Sequence, residues 1–163
     1  MVQTLAVVGY SNTGKTMVVR ELAIWFRQQG IRVAVVKHAS HGYEMDAAGK
    51  DSHSYYEAGA EVVAVVGPEA FSIHRRTPQA YGLDEVVEYL SDCELILVEG
   101  YKNHPGPKVE LLRRGVSEQR LPLSGVVAIV TDLPDLAAEE PIFNYDEIDA
   151  LARYLNQQVL KKG

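Results

Sequence analysis

The residues of this chain best suited to chemistry form a glycine loop close to its first residue. The segment GYSNTGKT at 9–16 matches the phosphate-binding pattern G-x-x-x-x-G-K-[ST]. An apolar run precedes it and an amphipathic helical pattern follows it, so backbone N–H groups and the positive end of a helix would converge on one anion. Lys15 would reach the β- and γ-phosphates of a nucleotide, and the Thr16 hydroxyl would bind Mg²⁺. The predicted nucleotide-binding residues of this loop are Gly9, Ser11, Asn12, Thr13, Gly14, Lys15, Thr16 and Met17.

Acidic residues farther along the chain could hold the metal. Glu99 directly follows the apolar run LILV, as in a Walker B element, where a carboxylate holds Mg²⁺ directly or through water. The alternative is a solvent-exposed acid at a strand end. Asp51 could approach the metal or serve as the N-cap of the next helix, and Asp46 could also approach it. The predicted catalytic residues are Lys15 and Glu99, and the predicted metal ligands are Thr16, Asp51 and Glu99.

A second ligand is suggested by the basic residues that follow other strands. Lys37 ends an apolar strand, where a lysine either meets an anion or extends its ammonium to solvent. The predicted second-ligand residues are Lys37, His38, His41 and Lys102. A basic segment after the Walker B strand is either a solvated loop or a recognition element for a phosphorylated ligand; its residues are Lys102, Lys108, Arg113 and Arg114. The histidines lack the spacing of a structural zinc site, so no structural metal is expected.

Thr131 and Asp132 follow a later apolar strand, where a nucleotide base could lie. The Asp132 carboxylate could accept hydrogen bonds from guanine N1–H and N2–H₂, a donor pair that adenine lacks. The alternative is a plain turn, because Asp132-Leu133-Pro134-Asp135 has the composition of one. We therefore predict both residues as nucleotide-binding, with guanine as the favoured base.

Alternating strand and helix patterns position these residues. They predict an α/β fold with a predominantly parallel, doubly wound sheet, to which a β-hairpin or extended segment is added. Ligands bind such sheets beyond the carboxyl ends of the strands, where the candidate residues fall. No linker divides the chain, so residues 1–163 are predicted to form one nucleotide-binding domain. The predicted strands are Thr4–Val8, Arg32–Lys37, Glu61–Val66, Ala70–His74, Glu94–Val98 and, as the last core strand, Val126–Val130, with a short extended piece at Val109–Leu112. The predicted helices are Lys15–Gln29, Asp51–Ala58, Leu83–Leu90 and Asp146–Val159.

Composition excludes several classes of protein. The net charge is −6, which favours neither nucleic acid nor an anionic membrane as a partner. No apolar run approaches the ~20 residues that a membrane span needs, and no signal peptide is evident. Cys93 is the single cysteine, so no intrachain disulfide forms, which suits a reducing cytoplasm. We therefore expect a cytoplasmic protein.

Several blocks of residues together resemble the family of molybdopterin-guanine dinucleotide biosynthesis accessory proteins, MobB. After GYSNTGKT these are VVKHASHG at 35–42, DAAGKDS at 46–52, EAGA at 57–60, LVEGYK at 97–102 and PKVELLR at 107–113. The phosphate loop is shared with many NTPases, whereas the K-H-x-x-H-G and V-E-G-[FY]-K blocks are far more specific. The resemblance spans Leu5 to Asp132 in family order, and Met17 stands where a second threonine is common.

The resemblance implies a P-loop fold of the GTPase type that binds GTP and Mg²⁺ with weak hydrolysis at most. It also implies a homodimer, molybdopterin as a ligand, and action beside the molybdopterin guanylyltransferase MobA. Two alternatives stay open. The V-K and V-E-G elements also resemble those of dethiobiotin synthetase-type enzymes, which would make the chain a small-molecule kinase or ligase. A metal-insertion GTPase would instead use the histidines.

Overall fold

The computed structural model describes residues 2–39, 42, 51–79 and 81–160, and the chain divides into two compact units. The first unit comprises Met1–His38 with Leu83–Gly163, and the second is Ala39–Gly82. In chain order the strands are β1 (Gln3–Gly9), β2 (Val33–Lys37), β3 (Val62–Val66), β4 (Phe71–Arg75), β5 (Leu95–Glu99), β6 (Lys108–Leu112), β7 (Val126–Thr131) and β8 (Ile142–Phe143). The helices are α1 (Lys15–Gln28), α2 (Asp51–Glu57), α3 (Leu83–Tyr89) and α4 (Ile148–Tyr154), the last continuing as a π-helical segment at Leu155–Val159.

The first unit is built on a six-stranded parallel sheet with the strand order β2-β5-β1-β6-β7-β8. Successive residues of a strand point to opposite faces, and β1 is buried on both. Leu5 and Val7 pack with α1 and α4 on one face, while Ala6 and Val8 pack with Leu83 of α3 on the other. Helices therefore cover both faces, which confirms the predicted doubly wound α/β fold and explains the continuous apolar runs of the strands.

β6 is a central strand of this sheet, although the sequence predicts only a short extended piece there. All five of its residues are buried, including Lys108 and Glu110. The Glu110 carboxylate accepts hydrogen bonds from Arg120 Nε at 2.9 Å and from the Leu121 backbone N–H at 2.6 Å. These contacts fasten the long connection after β6 to the sheet, because a buried charge needs such partners.

The burial of Lys108 corrects a prediction. Its ammonium donates to the carbonyl oxygens of Ser124 at 2.7 Å and Gly106 at 3.2 Å. Lys108 therefore belongs to neither a solvated loop nor an anion-recognition element. Burial lowers the pKa of this lysine, in keeping with its enclosed position.

The end of the chain also differs from the prediction. Val126–Val130 belongs to the last core strand, as predicted, but the two-residue edge strand β8 follows it and pairs with β7 through Ile129–Ile142 and Val130–Phe143. Two residues are too few to show the alternation by which a strand is predicted. None of the helices in the described part of the chain is both long and apolar enough to cross a membrane.

The second unit contains α2 and an antiparallel hairpin of β3 and β4. The sequence predicts both strands and the turn between them, and the hairpin forms a sheet of its own. The Arg76 guanidinium stands 3.8 Å from the centre of the Tyr56 ring and also donates a hydrogen bond to the Tyr56 carbonyl oxygen. This cation–π contact ties the end of the hairpin to α2.

Candidate phosphate-binding site

The glycine loop joins β1 to α1 at the carboxyl edge of the sheet. At Gly9 φ is +156°, and a Cβ there would lie 2.8 Å from both the Leu111 carbonyl oxygen and Thr13 Oγ1. Gly14 has φ +92°, a left-handed conformation that glycine adopts without strain. The Thr13 hydroxyl donates to the Tyr10 carbonyl oxygen at 2.9 Å and closes the loop from within. The loop is therefore compact and packed closely against β6.

The N-terminus of α1 is open toward this loop. Gly14 occupies its N-cap without a capping side chain, and its first turn holds no acidic residue. The first backbone N–H groups of a helix lack partners within it, and here no carboxylate of the first turn competes for them. They border a cavity of about 450 Å³ that is lined by Ser11, Asn12, Gly14, Lys15, Thr16, Glu99 and Arg113.

Thr16 and Glu99 meet at the edge of this cavity. The Thr16 hydroxyl lies 3.1 Å from each oxygen of the Glu99 carboxylate, whose side chain is only 12% exposed. Lys37 pairs with Glu99 in the register of β2 and β5, and its ammonium stands 3.8 Å from Glu99 Oε1. The site thus presents a hydroxyl and a carboxylate together, which are ligands that Mg²⁺ accepts when phosphate and water complete its shell.

Lys15 points back over the loop. Its Nζ donates to the Tyr10 carbonyl oxygen at 2.7 Å. Burial lowers the pKa of Lys15; Glu99 acts in the opposite direction, and the positive charges of Lys102 and Lys37 lower it further. A phosphate group in the cavity would favour the charged form of this lysine, because it would offset both burial and repulsion.

The predicted second-ligand residues described by the structure border the same edge. His38 stacks on Tyr101 with 4.3 Å between ring centres, and Lys102 Nζ lies 4.6 Å from the centre of the Tyr10 ring. A Cβ at Gly100 would lie 3.2 Å from the His38 Cβ, so the V-E-G turn and His38 are closely packed. His41 lies outside the described residues.

The two remaining acidic candidates for the metal are Asp51 and Asp46. Asp51 is the first residue of α2 in the second unit, and its carbonyl oxygen accepts from the Ser54 hydroxyl at 2.7 Å. Its role as a metal ligand stays a prediction. Asp46 lies outside the described residues.

Thr131 ends β7 and Asp132 directly follows it, at the same edge of the sheet. The Thr131 hydroxyl accepts from the Leu133 N–H at 3.1 Å, and Asp132 Oδ1 accepts from the Arg114 N–H at 2.7 Å. The Thr131 side chain therefore stabilises a local turn, as the alternative interpretation expects, whereas the Asp132 carboxylate holds the turn after β6, 18 residues away in the sequence. Within the described residues, the second Asp132 oxygen has no hydrogen-bond donor. Its contact with guanine stays a prediction.

Tyr145 belongs to the site and is missed by the sequence analysis. It follows β8, and its hydroxyl lies 2.6 Å from the Thr13 carbonyl oxygen and 3.1 Å from that of Leu112. Burial raises the pKa of Tyr145 to about 12, so the phenol keeps its proton and donates. The signal that could have revealed Tyr145 is its position two residues after the apolar pair of β8, but that position has meaning only once β8 is recognised as a strand.

Comparison with known proteins places this geometry in a family. The family model described as MobB, molybdopterin guanine dinucleotide synthesis protein B, matches residues 4–132. The molybdopterin-guanine dinucleotide biosynthesis adapter protein of Haemophilus influenzae is 31% identical over 93% of this chain and 86% of its own. The Escherichia coli protein of that name is 29% identical over 100% of this chain and 97% of its own.

A solved structure agrees with these relatives. The crystal structure of Bacillus subtilis MobB superposes with a TM-score of 0.78 and 29% identity, covering 95% of this chain and 97% of that one. The matched region contains the glycine loop, the Glu99 turn and the strand that ends at Leu112. The chain belongs to the MobB family of molybdopterin guanine dinucleotide synthesis proteins.

Proposed function

We propose that this protein binds GTP with Mg²⁺ and acts as an adapter in the biosynthesis of molybdopterin guanine dinucleotide. One observation carries the proposal: Lys15, Thr16 and Glu99 surround one cavity at the N-terminus of α1. The uncapped helix end and the lysine favour a phosphate chain, and the Thr16–Glu99 pair suits the magnesium ion that accompanies it. Mg²⁺ bound there would neutralise phosphate charge. The pathway comes from the names of the relatives.

Guanine as the base is supported by Asp132. It follows β7 at the carboxyl edge of the sheet, the edge that also carries the glycine loop. One of its oxygens is held by the Arg114 N–H, which fixes the orientation of the carboxylate. A carboxylate in a fixed orientation can accept hydrogen bonds from guanine N1–H and N2–H₂. Adenine lacks this pair of donors.

Weak hydrolysis is supported by the scarcity of side chains around the cavity that could act as a general base. Among the described lining residues, Glu99 is the one carboxylate, and it already contacts the Thr16 hydroxyl and the Lys37 ammonium. A carboxylate held in this way is poorly placed to take a proton from an attacking water. The protein would then hold its nucleotide and present it, rather than turn it over rapidly.

The second ligand would be molybdopterin, and the partner would be the guanylyltransferase MobA in the cytoplasm. Lys37 and Lys102 supply positive charge near the Glu99 turn, and the His38–Tyr101 stack offers an aromatic face. A phosphorylated, partly aromatic ligand matches such a set of side chains. The pterin and the partner follow from the family resemblance.

Self-association is supported by the exposed apolar hairpin of the second unit. Val66 is 79% exposed and Phe71 is 71% exposed, and Val62 and Ile73, which the strand register places on the same face of the hairpin, are also exposed. Contiguous apolar surface of this kind commonly marks an interface between proteins. We propose that it contributes to a homodimer.

Replacing Lys15 tests nucleotide binding. Lys15→Ala should reduce GTP affinity by roughly ten- to a hundred-fold, because it removes a charged phosphate contact and disturbs no core residue. Calorimetric titration measures the affinity, and circular dichroism confirms the fold. Arg27→Ala, in the exposed last turn of the same helix, is the matched control and should bind as the wild type does. Equal GTP affinity in the Lys15 variant and the control would refute the phosphate-loop assignment.

Replacing Glu99 tests the metal site. Glu99→Gln keeps the size of the side chain and removes its charge, so it should weaken GTP binding in Mg²⁺ far more than in EDTA. Titrations of GTP with Mg²⁺ and with EDTA give the ratio of the two affinities. Glu94→Gln, at an exposed carboxylate that pairs with Arg32, is the control. An unchanged ratio in the Glu99 variant would show that this acid takes no part in holding the metal.

Light scattering after gel filtration tests the homodimer. The wild-type chain should elute with twice its 18.0 kDa mass. Phe71→Ser should shift the mass toward the monomer, whereas Val116→Ser, at an exposed valine on the turn after β6, should not. A wild-type protein that is monomeric at all concentrations would contradict the proposal.

A further inference from the structure

Arg113 stands beside the glycine loop, and no carboxylate in the described part of the chain pairs with it. It follows β6, and its guanidinium lines the phosphate cavity with Lys15, Thr16 and Glu99. Its side chain is partly buried, and within the described residues it makes neither a hydrogen bond nor an ion pair. A guanidinium in such a place lacks the anion that would compensate its charge.

The guanidinium lies against two parts of the site. Its Cζ is 4.9 Å from the centre of the Tyr145 ring, a cation–π contact that orients the planar group. A Cβ at Gly14 would lie 3.3 Å from Arg113 Nη1 and 3.3 Å from Tyr145 Cε1. Gly14 therefore leaves room for the arginine at the residue that caps α1, where a phosphate would be held.

The backbone of Arg113 is held in place by hydrogen bonds. Arg113 and Ser117 exchange two backbone hydrogen bonds of 2.9 Å, which close a tight turn. The Asp132 carboxylate accepts a hydrogen bond from the Arg114 N–H, and the Glu118 carboxylate accepts one from the Gly115 N–H at 2.9 Å. The turn is thus anchored to the end of β7, so the arginine approaches the loop from a preformed position.

We propose that Arg113 is a phosphate-binding residue that acts on the same polyphosphate as the glycine loop. The inference rests on the proposed nucleotide site and adds a ligand contact from outside the loop motif. Arginine suits this role because its planar fork can donate two parallel hydrogen bonds to phosphate oxygens. Tyr145 is its positioning residue, since one ring contacts the guanidinium while its hydroxyl contacts the loop at Thr13.

Titration of GTP and of inorganic tripolyphosphate tests this assignment on the whole protein. Arg113→Met removes the charge but keeps an apolar chain against Tyr145, and it should weaken binding of both probes by roughly ten- to a hundred-fold. Arg113→Lys keeps the charge without the fork and should recover part of the affinity. Arg114→Met removes the same charge from the adjacent, exposed residue and should change affinity less than about three-fold. Urea unfolding of all variants checks that stability is preserved.

The outcomes separate this inference from the proposed function. Tight binding of both probes by the wild type, with loss in Arg113→Met alone, supports the contact. Wild-type affinity in Arg113→Met, or an equal loss in Arg114→Met, overturns it while leaving the nucleotide site in place. A wild type that binds neither probe overturns both proposals. A loss of stability without a loss of affinity in Arg113→Met would show a structural role and also overturn the inference.

Discussion

The close approach of the glycine loop to β6 is the constraint on which the site depends. β1 must leave the sheet at Gly9 while its last residues remain paired with β6, and a side chain there would collide with the Leu111 carbonyl oxygen. Displacing the loop would also displace the first turn of α1, whose N–H groups face the cavity. Tyr145 secures the same arrangement through its hydrogen bond to Thr13. The anion site is therefore a property of the sheet edge as much as of the loop motif.

The local charge at this edge of the sheet is opposite in sign to the net charge of the whole chain. The protein carries a net charge of −6, yet Lys15, Lys37, Lys102 and Arg113 lie at this edge together with Glu99, the one carboxylate among the described residues that line the cavity. An excess of positive charge in a concave site attracts a small polyanion, while the acidic remainder disfavours large ones such as nucleic acid. The lowered pKa of Lys15 reflects burial first and, to a smaller extent, the nearby positive charges of Lys102 and Lys37. A bound polyphosphate would relieve the repulsion, which is a physical reason for the proposed preference for a nucleotide.

The features predicted correctly from the sequence are those determined by neighbouring residues. The glycine loop, its helix and the strand before Glu99 follow from local patterns, and the fold class follows from their alternation. The burial of Lys108 and Glu110 does not follow from local patterns, because it depends on Arg120, Ser124 and other residues distant in sequence. The role of Tyr145 depends on β8, which is too short to show a period. The contact of Asp132 with the Arg114 N–H is a further case, since it joins residues 18 positions apart in the sequence.

The most direct test of the central claim is a competition titration of GTP, ATP and XTP against the wild type and Asp132→Asn. The asparagine can still accept the Arg114 N–H, so the turn that carries Arg113 should persist. The account predicts that the wild type prefers GTP to ATP. It also predicts that the variant loses roughly ten- to a hundred-fold in GTP affinity and gains XTP affinity relative to GTP, because the new amide can donate to the xanthine oxygen. A wild type that binds ATP as tightly as GTP would contradict the account and favour a small-molecule kinase.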